Sequence, residues 1–167
     1  EGGAQLVPVG PETNYQLDAT LVERYWDEGC VGALVASPAN PTGTLLSLED
    51  LRALSLALRE RRGHLLVDEI YHGLTYGLDA ASVLQVNQDA YVLNSFSKYF
   101  GMTGWRLGWL VAPEAAVPEL EKMAQNFFIS APTIAQHAAL ACFTDEAEQI
   151  FEQRRTEFAA RRDYLLP

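Results

Sequence analysis

Residues Asn94 to Trp109 read NSFSKYFGMTGWRLGW and place a single lysine, Lys98, beside two hydroxyl side chains, Ser95 and Ser97. An arginine, Arg106, follows eight residues later, with glycines at 101, 104 and 108. A lone lysine in a loop is commonly a solvated charge. Here the apolar run Ala90 to Leu93 leads in as a buried strand would, so the serines and Lys98 fall at the end of a strand, where open α/β sheets bind ligands. Serine hydroxyls, an arginine fork and glycines that let the backbone approach closely suit a phosphate group. Lys98 then stands beside a bound phosphate ester, placed to form an imine with an aldehyde on the same molecule.

Two further stretches lie upstream: SPANPTG at Ser37 to Gly43 and VDEIYHGLTYG at Val67 to Gly77. With SFSKYFGMTGWRLG, which carries Ser-x-Ser-Lys-x-x-x-x-x-Gly-x-Arg-x-Gly at every fixed position, they occur in the order found in one family. The chain resembles the class I and II aminotransferases, the fold type I enzymes that use pyridoxal 5'-phosphate. The resemblance runs over essentially the whole sequence, although 167 residues is less than half of a typical member. It implies an α/β fold with a three-layer α/β/α, mostly parallel sheet. On this basis residues 1–145 form part of the cofactor-binding large domain, and residues 146–167 form a long helix leading toward a small domain.

Composition sets outer bounds. Hydrophobic residues make up 49% of the chain, enough for one domain with a sizeable core. Twelve basic against 22 acidic residues give a net charge of −10, which would repel a phosphate backbone and argues against nucleic acid as a partner. No apolar run approaches the roughly 20 residues of a spanning helix, and the N-terminus lacks the basic flank of a signal peptide, so a cytoplasmic location is expected. Cys30 and Cys142 sit in apolar or small-residue settings without CxxC spacing and are expected to be reduced core thiols. Three scattered histidines and two cysteines offer no metal-ligand spacing. The absence of an initial methionine suggests a fragment.

In chain order, a short strand is expected at Leu6 to Val9, then a helix over Ala19 to Glu28, capped by Asp18 and ended by Gly29, with Leu21, Val22, Tyr25 and Trp26 on one face. Val31 to Ala36 is a nearly continuous apolar run, as in a parallel strand buried on both faces. Ser47 opens a helix running to Arg62, with Asp50 completing a capping box. His64 to Val67 is the next strand and delivers Asp68. Arg106 to Val111 gives one more, antiparallel if the resemblance holds. Helices follow over Pro118 to Phe128, Thr133 to Phe143 and from Glu146 toward Leu166. Phe128 and Ile129, before the Ser-Ala-Pro break, are either helix core or a cofactor wall, with core the reading taken; His137 is expected as a core histidine and His64 at the surface.

The residues themselves leave several roles open. Asn40 lies in what is either an ordinary Asn-Pro turn or a proline-locked loop that fixes the direction of an amide donor. Asp68, straight after a buried run, needs a partner: it caps a turn, pairs with an arginine, or faces a ligand. Tyr71 is a packing residue or a hydroxyl donor. His72 adjoins them, but no second histidine or nucleophile lies nearby, and it is not taken as a base. The resemblance implies specific roles. Lys98 carries the cofactor as a Schiff base and shuttles the proton; Ser95, Ser97 and Arg106 anchor its phosphate; Asp68 faces its pyridine nitrogen; Asn40 and Tyr71 bond its phenolic oxygen. It further implies amino acid and 2-oxo acid substrates and a homodimer.

The family pattern also includes an upstream phosphate-binding loop, a ring-stacking aromatic and a downstream arginine for the substrate carboxylate, none of which is found in this stretch. The piece alone is therefore expected to turn over little or no substrate. Two other outcomes share the scaffold: a carbon-sulfur lyase or related fold type I enzyme, and an aminotransferase-like effector domain of a transcription regulator.

Overall fold

A computed structural model describes residues 2–166. Four strands, β1 (Gly32–Ala36), β2 (His64–Asp68), β3 (Tyr91–Ser95) and β4 (Gly108–Val111), form one sheet in the order β1-β2-β3-β4. The first three run parallel, and β4 runs antiparallel to β3, with Ser95 opposite Gly108. This is a mostly parallel α/β sheet with helices, as the sequence predicts.

Alternation along each strand decides what is buried. Val35, Val67 and Val92 are register neighbours across β1, β2 and β3, and all three point into the core beneath helices α1 (Ala19–Tyr25) and α2 (Leu48–Glu60). Leu51, Leu54 and Leu58, at helical spacing, supply the facing surface and are essentially inaccessible. Each buried leucine contributes roughly 1.5–3 kcal/mol. Asp68 and Ser95 have the opposite parity, and so share the other side of the sheet with Leu34, Leu66 and Leu93. That side is more open. Leu34 is 68% exposed, so β1 is not buried on both faces as its apolar run suggests.

The capping box of α2 is present: Ser47 Oγ accepts from the Asp50 amide at 3.1 Å, and Asp50 Oδ2 accepts from the Ser47 amide at 3.0 Å. At its far end Arg62 takes the left-handed conformation, φ 55°, and Gly63 N donates to Leu58 O. Gly63 is required for space rather than for backbone freedom, because a Cβ there would collide with the Trp26 ring.

Some expected elements differ. Leu6 to Val9 is not a strand; Leu6 is 88% exposed, and no neighbouring strand pairs with this segment. Helix α1 stops at Tyr25 because Trp26 turns to extended backbone and packs against the core, while Asp27 Oδ1 holds the Gly29 amide in a tight turn. Strand β4 starts at Gly108, since Arg106 is itself left-handed, φ 54°. Helix α3 (Val117–Phe127) buries none of its residues, and Phe128 and Ile129 are exposed, so neither is core here. His137, on α4 (Thr133–Leu140), is exposed rather than buried; the apolar residues around it face the core only through Ala135 and Ala139. His64 is at the surface, as expected. Cys30 is only half-buried, with Sγ near Gln5 and Asp27, whereas Cys142 is buried and its thiol is pushed up by that burial. Both cysteines are free.

Helix α5 (Asp145–Leu165) docks through Phe151 onto a second cluster with Phe96, Met102, Ala139 and Cys142. No helix among the described residues is long and apolar enough to cross a membrane.

Candidate active site

Three loops leave the carboxyl ends of three adjacent parallel strands, and each is held by hydrogen bonds that its own sequence supplies. After β1, Ser37 is buried; its amide donates to Asp68 O at 3.0 Å and its Oγ accepts from the Leu46 amide at 2.9 Å. Ala39 N donates to Thr44 O at 2.9 Å, and Gly43, at φ 70°, donates to Ala39 O at 2.8 Å. The Ser37-Pro38 and Asn40-Pro41 bonds are both cis. Asn40 projects from this closed loop and donates through Nδ2 to Tyr71 Oη at 3.2 Å.

After β2, Asp68 Oδ1 accepts from the Ile70 amide at 3.0 Å, and His72 N donates to Glu69 O at 2.9 Å, which curls Tyr71 into a turn. Among the described residues Asp68 enters no ion pair, so neither arginine pairing nor burial against a cation explains it. It does cap its turn.

After β3, Ser95 Oγ accepts from the Ser97 amide at 3.1 Å, Thr103 Oγ1 donates to Ser97 O, and Met102 N closes on Phe96 O at 2.9 Å. This wraps the chain so that the half-buried Lys98 ammonium lies 5.5 Å from the centroid of the Tyr71 ring, within cation-π range. Arg106 donates through Nη1 to Thr103 O at 2.9 Å. Neither Lys98 nor Arg106 is paired with a carboxylate among the described residues.

The structure thus joins Asn40, Tyr71 and Lys98 by direct contacts and puts Asp68 at the head of the Tyr71 turn. Ser95 and Ser97 lie in the Lys98 loop; Arg106 reaches the same loop through Thr103, not through either serine. A cleft of about 450 Å³ opens beside Asn40 and Tyr71, walled by Pro38, Pro41, Leu45, Leu74 and Tyr76, with the Arg162 guanidinium over the Tyr76 ring.

Three supports escaped the sequence reading. Gln16 is buried and its Nε2 lies 3.1 Å from each of Ala36 O, Thr44 O and Thr44 Oγ1, bracing the Asn40 loop. Nothing in the local sequence announces that. Glu69 is buried beside Asp68, and a second acid directly after a buried strand was the available signal. Tyr99, next to Lys98, donates to Glu152 Oε1 at 2.7 Å; Glu152 also binds Arg155, which donates to Thr75 O at 3.2 Å. Burial, then the bond to Glu152 and its charge, pushes the Tyr99 phenol up to about 12. The bonds from Tyr99 and Arg155 hold the Glu152 carboxyl below its ordinary range.

Comparison with known proteins gives one answer. The family described as aminotransferase class I and II matches residues 2–167. The chain is 39% identical over 162 residues to a valine–pyruvate aminotransferase of Mycobacterium tuberculosis, covering 96% of this chain and 42% of that protein. It superimposes on the crystal structure of an aminotransferase from Mycobacterium tuberculosis with a TM-score of 0.90 at 39% identity, covering 96% of this chain and 44% of the other. Against aspartate aminotransferase from Thermus thermophilus with maleate the TM-score is 0.89 at 32% identity, covering 96% and 43%. The chain therefore spans less than half the length of the relatives it matches.

Proposed function

Since this chain belongs to the aminotransferase class I and II family, we propose that it forms the lysine-bearing portion of a pyridoxal-phosphate-dependent aminotransferase, which moves an amino group between an amino acid and a 2-oxo acid. The observation that carries this reading is the contact set at the strand ends: Lys98 Nζ at 5.5 Å from the Tyr71 ring, and Tyr71 Oη in turn bonded by Asn40 at 3.2 Å.

The residues fit the cofactor. It has an aldehyde, a phenolic oxygen, a pyridine nitrogen and a phosphate, and the site offers an amine, two donors, a carboxylate without a cation, and serine hydroxyls with an arginine. Lys98 would hold the cofactor covalently. Ser95, Ser97 and Arg106 would take its phosphate. Asn40 and Tyr71 would donate to the phenolic oxygen, and the Asp68 carboxylate would keep a proton on the pyridine nitrogen. When bound, the cofactor supplies an electron sink for negative charge developing at the substrate Cα. The Lys98 amine, once freed from the cofactor, would be the base that takes the proton from the substrate Cα and the acid that delivers it to the carbon of the former aldehyde.

Residues 1–145 belong, in this reading, to the cofactor-binding domain, and residues 146–167 link it to the remainder of a longer enzyme acting as a cytoplasmic homodimer. The net charge of −10 would repel a phosphate backbone, which supports small-molecule substrates over nucleic acid.

This stretch holds only two lysines, Lys98 and Lys122, so the peptides that cover it compare the candidate with a single control. Lys122 is exposed and paired with Glu119, so it serves as the internal control. Pyridoxal phosphate is added to the longest gene product containing this sequence, the adduct is reduced with borohydride, and the pyridoxyl group is mapped by peptide mass spectrometry. Label confined to Lys98, with transfer of an amino group to a 2-oxo acid, is the expected result; no label at Lys98 removes the cofactor assignment.

A further inference from the structure

Between Asp68 and Tyr71, the two side chains assigned to opposite edges of the cofactor ring, lies a carboxylate that no role so far uses. Glu69 is only 3% exposed. Its Oε1 accepts from the Val83 amide at 2.8 Å, and its Oε2 stands 3.5 Å from His72 Nδ1. Its backbone is equally engaged, with N donating to Leu93 O at 2.9 Å and O accepting from His72 N at 2.9 Å. One residue therefore ties the turn to β3, to the far end of the loop at Val83, and to its own third neighbour.

Burying a carboxylate costs several kcal/mol, and a well-packed apolar side chain would fasten a loop to the sheet at least as firmly. What an apolar residue would not supply is direction. The Val83 bond closes the loop from 69 to 83, and the His72 contact fixes the far side of the same turn, leaving Tyr71 little room to swing. Two residues after Tyr71 the turn abuts the Lys98 loop: a Cβ on Gly73 would strike the ring of Tyr99, which follows Lys98 in sequence. His72 itself lines a polar cleft with Tyr99, Glu152 and Arg155. Movement of the Glu69 turn must therefore alter the distance between Tyr71 and Lys98.

We propose that Glu69 is a positioning residue for the transamination site, setting Asp68 and Tyr71 against Lys98 through its bonds to Val83 and His72. The inference rests on the proposed function above, because it takes Asp68 and Tyr71 to be cofactor contacts.

Three substitutions in the longest gene product test it. Glu69→Ala removes both bonds; Glu69→Gln keeps an oxygen for Val83 but loses the charge toward His72; Val83→Pro removes the donor instead. The backbone at position 83, the first residue of a 3-10 turn, accepts a proline, since Ser82 already has the extended conformation, φ −80° and ψ 139°, that a following proline requires, and Val83→Ala, which keeps the amide, controls for loss of the wholly buried Val83 side chain. The readouts are the pH midpoint of the absorbance of the Lys98-bound cofactor, kcat and KM determined separately, and the melting temperature.

The expected result is a shifted absorbance midpoint and kcat lowered on the order of 10²-fold in Glu69→Ala and Val83→Pro, with KM changed far less and Glu69→Gln intermediate. Lower melting temperatures with wild-type midpoint and kcat would reduce Glu69 to a structural residue and overturn the proposal. Should Glu69→Ala and Val83→Pro fail to fold, Glu69→Gln and His72→Leu decide the matter by the same readouts. Wild-type protein that takes no label at Lys98 would fail the proposed function and this inference together; labelled wild type with unperturbed variants would fail this inference alone.

Discussion

Replacing Gln16 should loosen the Asn40 loop without disturbing the helix that follows it. The reason lies in the peptide joining Ala36 and Ser37. Ser37 N–H points inward to Asp68 O on β2, so the trans peptide aims Ala36 C=O away from the sheet, off the free edge of β1. No strand meets it there. Gln16 Nε2 does, at 3.1 Å, and it lies equally close to Thr44 O and Thr44 Oγ1. Two amide hydrogens face three oxygens, so two bonds at most are fully made. In Gln16→Leu, Thr44 O keeps the Ala39 amide as its donor, but Ala36 O loses the one it has from Gln16, at a cost of about 1–3 kcal/mol. That is a roughly 5- to 150-fold rise in the open population of the loop. Hydrogen exchange followed by mass spectrometry reads it directly, in peptides covering the Ala39, Gly43 and Leu46 amides, all bonded within the loop. Peptides from Leu51 to Leu58 serve as the control. Gln16→Glu should be worse at neutral pH, since a carboxylate would then confront three oxygens, and should recover in part toward about pH 4 as the acid becomes able to donate. Exchange in Gln16→Leu within about threefold of wild type would refute the bracing role, because unsatisfied carbonyls cannot be that cheap.

Other outcomes follow from the same geometry. Lys98→Ala should abolish the borohydride label and lower turnover by at least about 10²- to 10⁴-fold, while Asp68→Asn should retain the label and lose on the order of 10²-fold in kcat, both read in steady-state assays on the longest gene product. Leu54→Ala should cost about 2–5 kcal/mol, because Leu54 is wholly buried, whereas Leu56→Ala, at an exposed position on the same helix, should stay within about 0.5 kcal/mol in urea melts. In an alkaline absorbance titration one of the seven tyrosines should ionise late, near 12, and Tyr99→Phe should remove that component. The raised phenol contributes stability in full below its unfolded value of about 10, and that contribution is lost as pH rises through about 12. Glu152, held below its ordinary range, runs the other way. Its contribution is present above about 4.3 and is lost as pH falls through the depressed value, which faster exchange in the Thr75 loop would report.

The parallel core was legible because its signals are local and periodic. Short apolar runs marked β1, β2 and β3, and leucines at helical spacing marked the buried face of α2, with its capping box read from Ser47 and Asp50 alone. Exposure was less legible. Leu34, Phe128 and Ile129 have the composition of core residues, yet whether an apolar side chain is covered depends on elements far away in sequence, and a pattern of neighbours carries no such information. The same limit explains Gln16, whose acceptors lie 20 and 28 residues further along. Trp26 ended α1 early for a tertiary reason as well, since its ring fills the space above Gly63.

The candidate site divides along the same line. Asp68 stands out as a carboxylate straight after an apolar run, a placement that is costly without a partner, and Lys98, Asn40 and Tyr71 stand out through the motifs that resemble the family. Their supports do not stand out. Glu69, Gln16 and the Tyr99–Glu152–Arg155 bonds act through backbone atoms of other segments, so only a folded chain shows what they hold. The arrangement nonetheless has one logic. Each strand-end loop has a candidate residue and a support for it: the buried Gln16 behind Asn40, the buried Glu69 behind Asp68 and Tyr71, and the half-buried Tyr99 and Glu152 beside Lys98. If the supports serve geometry, then substituting them should alter kcat and spectroscopic midpoints more than substrate affinity. If they serve folding alone, stability should fall while the chemistry of each folded molecule stays the same.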